Sequence, residues 1–120
     1  MPRVVRAFPL RSSRSALEAF AAQLNGQRAT EATQFYRYYG IRSESWHLQD
    51  TPRGPWVIAV TELANPAEAA ARYADASAAF HVWFKEQVLS LTGIDPNVTP
   101  LGPPTSEIFS WSDSASQAVS

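Results

Sequence analysis

The chain has 120 residues, a single-domain length, and its 45% hydrophobic, 12% aromatic and 18% charged residues read as globular rather than disordered. A net charge of −1 gives no basic field to attract phosphate backbones, so nucleic acid is not an expected partner. The longest strongly apolar run, Trp56 to Val60, is far too short to span a bilayer, arginines and a proline interrupt any signal-peptide core, and cysteine is absent; the expectation is a cytoplasmic protein without membrane attachment, disulfides or thiolate metal sites.

Val4 to Leu10 is apolar on both parities, Arg6 excepted, and reads as a strand covered on both faces. Ser15-Ala16-Leu17-Glu18 has capping-box spacing and predicts a helix start. Leu17, Phe20, Ala21 and Leu24 follow at helical spacing, and the same stripe resumes at Arg28, Glu31, Ala32, Phe35 and Tyr39. Asn25-Gly26 leaves open one helix or two, and Gly40 suits the left-handed residue that closes the element.

Ile41 to Gln49 alternates as a second strand, with Glu44, Trp46 and Leu48 on one face and Ser43, Ser45, His47 and Gln49 on the other. The turn formers of Asp50 to Pro55 separate it from Trp56 to Thr61, the best strand in the chain, so the two predict a hairpin. Asn65-Pro66-Ala67-Glu68 offers an N-cap, a first-turn proline and an acid, opening a helical region that ends near Gly93 and that Asp75-Ala76-Ser77 can divide. Ile94 to Ser106 reads as an ordered meandering loop, Glu107 to Trp111 as the last strand, and Ser112 to Ser120 as a disordered tail outside a domain of residues 1–111.

Strand, helix, two strands, helix, strand is the split βαβ order, which predicts a ferredoxin-like α+β fold: a four-stranded antiparallel sheet with helices on one face. Two helical regions cover one face only, while the first and third strands are apolar on both, so a second copy packed sheet to sheet is expected, giving a homodimer. With this order, the segments GIRSESWHLQDTPRGP, SAAFHVWFKEQVLSLTGIDP and SEIFSW resemble an uncharacterised bacterial family within the dimeric α+β barrel superfamily. The resemblance covers Val4 to Trp111 and implies that fold; its relatives in fold range over cofactor-free monooxygenases, small isomerases, haem-handling enzymes and binding proteins.

Arg28 and Glu31 fall on the stripe expected to face the sheet, where burying a charge costs several kcal/mol unless it is matched. They are read either as a structural ion pair or, with Tyr39, Glu44 and Trp46, as the edge of a semi-apolar ligand pocket between sheet and helices. His47 and His81 have no partner at metal spacing, so neither a metal site nor haem ligation is expected, and no cofactor is called for. The aromatics Tyr73, Phe80, Trp83 and Phe84 sit at helical spacing and read as core. The expected function is binding of a small organic molecule; the alternatives are a cofactor-independent enzyme of monooxygenase or isomerase type and an interaction module with a filled core.

Overall fold

The computed structural model describes residues 2–94 and 104–113. Their elements run β1 (Arg3–Pro9), α1 (Arg14–Asn25), α2 (Ala29–Tyr38), β2 (Ile41–Thr51), β3 (Gly54–Leu63), α3 (Pro66–Asp75) and α4 (Ala79–Thr92). The three strands form an antiparallel sheet in the order β1-β3-β2.

β3 is central because its alternation is the cleanest: Val57, Ala59, Thr61 and Leu63 are buried on one face, while Trp56, Ile58, Val60 and Glu62 point the other way. The buried face meets Phe20 and Leu24 of α1, Phe35 of α2, Tyr73 of α3, and Phe80, Phe84 and Leu91 of α4 in one hydrophobic cluster. Both strands of the β2–β3 hairpin extend past the expected ends, to Thr51 opposite Gly54. Thr51 holds this turn through its hydroxyl, which donates to the Gly54 carbonyl at 2.6 Å and accepts the Arg53 N–H at 3.2 Å.

Each helical region divides in two. α1 ends at Gly26, whose backbone (φ −123°, ψ −105°) leaves the helix, and the Arg28 N–H turns back to the Gln23 carbonyl at 2.9 Å. α3 ends where Ala76 adopts an extended backbone, and the Lys85 ammonium reaches across from α4 to the Ala74 and Ala76 carbonyls at 3.2 and 2.9 Å. That bond supplies the donor that the end of a helix lacks. Asn65 caps α3 as expected, accepting the Glu68 N–H at 3.0 Å, and Gly40 (φ 68°) and Gly93 (φ 74°) take the left-handed conformation that follows a helix.

Two expectations are corrected. The cap of α1 is Ser13, which accepts the Ala16 N–H at 3.1 Å; Ser15 lies inside the helix, and Glu18 pairs with Arg14 at 3.5 Å in place of a capping box. The fourth strand is not formed among the described residues. Pro104 makes an isolated antiparallel bridge with Arg6, and Thr105 bonds the Val5 carbonyl through both its N–H and its hydroxyl. Continued in that register, Glu107 would fall opposite Arg3, the first residue of β1, so Ile108 onward has no strand to pair with in its own chain. Ile108, Phe109 and Trp111 are accordingly 90%, 82% and 75% exposed. Most of the expected loop, at 95–103, and of the expected tail, at 114–120, lies outside the described residues. No described helix is long and apolar enough to cross a membrane.

Candidate functional site

At the centre of the sheet's helix-facing side β3 carries two small residues, Ala59 and Thr61, between the larger Val57 and Leu63. Arg6 of β1 and Trp46 of β2 both sit opposite Ala59, and Glu44 sits opposite Thr61. The small central row leaves space under α1, α3 and α4: an inner cavity of about 100 Å³, mostly apolar, into which Arg6, Glu44, Thr61 and Tyr73 bring polar atoms. A second, outer cleft of about 470 Å³ lies between α1, α2 and the edge strand β2, lined by Asn25, Thr33, Tyr36 and apolar neighbours. Glu44 and Trp46 line both spaces and form the wall between them.

Glu44 is held from two elements. The Trp46 indole N–H donates to its Oε1 at 3.1 Å, and the Tyr36 hydroxyl of α2 donates to the same carboxyl. Trp46 is itself fixed by a stacked contact with Phe20, ring centroids 5.4 Å apart. Burial pushes the Glu44 carboxyl above the usual carboxylate range; the bonds from Trp46 and Tyr36 and the charge of Arg6 pull the other way without cancelling it. Burial drives the hydroxyls of Tyr36 and Tyr73 upward too, with the Glu44 charge adding to both, so these tyrosines are neutral at physiological pH. Arg6 is buried, 8% exposed, and desolvation lowers its pKa from the ordinary arginine value while Glu44 raises it.

A raised carboxyl pKa has a consequence for stability. The folded state holds the Glu44 proton more tightly than the unfolded chain does, so this group's contribution is complete below the unfolded value and is lost as pH rises through the folded one. Glu44→Gln is therefore expected to match the parent's melting temperature near pH 4 and to exceed it increasingly toward pH 8, in melts followed by circular dichroism.

Of the five residues proposed from sequence, the structure brings together Glu44 and Trp46. Arg28 and Glu31 lie elsewhere: Arg28 precedes α2, bonds Glu31 through two contacts of 2.9 and 3.2 Å, and lays its guanidinium over Trp83 and Phe80 at 4.1 and 4.8 Å from the ring centroids. Their side chains remain 27% and 48% exposed, and they line neither cavity described above. The mutual hydrogen bond raises the Arg28 pKa and lowers that of Glu31. The physical reason is local: Arg28 stands before α2 as its N-cap and so is not part of a helical stripe, and Glu31 pairs with it in the exposed first turn. Ala32, Phe35 and Tyr39 of the same expected stripe do turn inward, with Tyr36 beside them. Tyr39 is in the core, its hydroxyl 2.7 Å from His81 Nδ1.

Arg6 and Tyr36 were missed. Arg6 left a signal, since it is the single charge among Val4, Phe8 and Leu10 on the inward parity of β1. Tyr36 completes an i, i+3, i+4, i+7 set with Ala32, Phe35 and Tyr39, visible once α2 is read on its own.

No protein-family model matches the sequence, and no curated protein matches it at a significant level. Among solved structures, the crystal structure of L-rhamnose mutarotase from Formosa agariphila is similar in fold: TM-score 0.59 at 12% identity, over 93% of this chain and 100% of that one. The likeness defines the class, a mixed α+β protein with an antiparallel sheet beneath its helices, and at that identity it carries fold alone.

Proposed function

We propose that this protein binds a small ring compound bearing hydroxyl or carbonyl groups at the wall between its two cavities, with the polar part in the outer cleft and an apolar substituent toward the inner space. The observation that carries this reading is the Glu44 carboxyl, fixed by Trp46 and Tyr36 where both spaces meet. The outer cleft is of a size usual for small-molecule sites, and it combines an indole with carboxyl, amide and hydroxyl groups. The mutarotase of similar fold is named for a small sugar, which supports a hydroxylated ring as occupant.

Calorimetric titration with a panel of monosaccharides and non-sugar rings such as lactones and phenols tests it. Trp46→Ala is expected to weaken the best binder more than tenfold, while Arg28→Met leaves affinity unchanged because Arg28 lies in neither cavity. Equal losses in the two variants, or no binder in the panel, would contradict the reading.

We also propose that the working unit is a homodimer. The outer sheet face presents Val5, Ala7, Ile58 and Val60, none of them in the core cluster, beside Trp56 at 37% exposure. The segment after Thr105 leaves its own sheet with three large apolar residues exposed. A second copy supplies both missing surfaces at once, and a two-fold axis makes the exchange reciprocal.

A further inference from the structure

Glu44 lies where a ligand would sit, and its surroundings assign it more than a recognition role. Among the described residues it is the carboxyl that lines the two cavities. Its two hydrogen-bond donors, Trp46 and Tyr36, are uncharged, so they orient the group without neutralising it. An ionised carboxyl has about four acceptor positions, so two donors leave room for a ligand on it. The ionisable groups that act on Glu44 are Arg6 from β1, Tyr36 from α2 and Tyr73 from α3. Arg6 is a cation with no acceptor, and both tyrosines hold their protons at physiological pH, so none of the three can take a proton from a substrate. Among these groups the carboxyl is therefore the one that can both give and take a proton.

Resting on the binding reading, we propose that Glu44 is the catalytic acid and base of a ring-opening isomerase, interconverting the anomers of a cyclic hemiacetal by passing protons between its two oxygens and those of the substrate. A protonated carboxyl is suited to this, because its O–C–O unit faces the O–C–O unit of a hemiacetal carbon across two hydrogen bonds. The Glu44 O–H gives its proton to the ring oxygen as the bond between that oxygen and the anomeric carbon breaks, and the bonding pair stays on the ring oxygen, which becomes a hydroxyl. The anomeric O–H bond breaks in turn: its electron pair completes the carbonyl, and its proton passes to the second Glu44 oxygen. The acid is regenerated, no electrons are gained or lost, and no cofactor is needed. Rotation about the bond beside the carbonyl, followed by the reverse steps, closes the ring to the other anomer. The burial that raises the Glu44 pKa keeps the acid form available. Trp46 and Tyr36 are positioning residues: they set the plane of the carboxyl.

Anomer exchange is read by NMR exchange spectroscopy on L-rhamnose, D-xylose and D-glucose, with binding measured calorimetrically on the same samples. The protein is expected to accelerate exchange of at least one sugar in proportion to protein concentration. Glu44→Gln is expected to lose about 100-fold or more of that acceleration, a loss larger than any it shows in affinity for the sugar. In case that variant does not fold, Tyr36→Phe gives an independent reading. It removes a donor that favours the ionised carboxyl, so the alkaline limb of the pH–rate profile moves to higher pH, a shift that a structural role would not produce. Saturable binding of a sugar without acceleration, full activity in Glu44→Gln, or an unmoved limb in Tyr36→Phe overturns the proposal. If no sugar binds, the proposal also falls, while the binding reading is judged separately by the non-sugar rings of the panel.

Discussion

Phe35→Ala is expected to destabilise the protein by about 3–5 kcal/mol in urea unfolding, the range for emptying an aromatic site in a packed core. Phe35 is 3% exposed and stacks on Phe84 at 4.3 Å, with Tyr39, Phe80 and Tyr73 edge-on at 4.9, 5.5 and 6.4 Å between ring centroids. These neighbours come from α2 and its C-cap, α3 and α4, so the ring ties three elements together and no single one can shift to fill the space. Typical domains have about 5–15 kcal/mol of stability in total, so such a loss leaves little margin. A cost under about 1 kcal/mol, below the usual range for such truncations, would show that the cluster collapses around the gap. The variant also bears on the site, because Tyr36 follows Phe35 on α2 and a loosened helix releases its bond to Glu44.

The second large effect follows from the proposed assembly. Ile58 lies mid-strand on the outer face of β3, between Ala7 and His47 on its neighbours. Burying an unpaired carboxylate at an apolar interface costs several kcal/mol, and each 1.4 kcal/mol is tenfold in affinity, so Ile58→Glu is expected to weaken dimerisation by roughly a hundredfold or more. Sedimentation equilibrium at micromolar concentration should find a dimer for the parent and a monomer for the variant. A folded parent monomer under the same conditions would refute the assembly.

How much of this was legible in the sequence depended on how local the deciding physics is. The Asn65-Pro66 helix start, the glycine closures at Gly40 and Gly93 and the hairpin of β2 and β3 rest on neighbouring residues and can be read directly. The last strand could not be. Ile108, Phe109 and Trp111 have strand character, but a strand needs an edge to pair with, and the register through Pro104 takes them past the start of β1. Two residues of the candidate site, Glu44 and Trp46, were readable from alternation along β2. Arg28 and Glu31 belong to a helical register extended through Gly26; Ala32, Phe35 and Tyr39 keep that register, but Arg28 precedes α2 and holds Glu31 at its exposed first turn. Tyr36 borders the same stripe, but its bond to Glu44 joins two elements and is non-local. Arg6 was visible as an interruption, but its position relative to Glu44 depends on β1 and β2 flanking β3, a non-local pairing.

The central claim, a ligand at the wall between the cavities, is tested most directly on the Trp46 indole N–H, which donates to Glu44 Oε1 at 3.1 Å. The chain has four tryptophans, so ¹⁵N-labelled protein shows up to four indole resonances, and Trp46→Phe identifies the relevant one. Titrating the tightest binder of the calorimetric panel should move the Trp46 resonance saturably, with the calorimetric affinity, while Trp56 and Trp111 stay in place. A Trp46 resonance that does not move at saturating ligand would contradict the account.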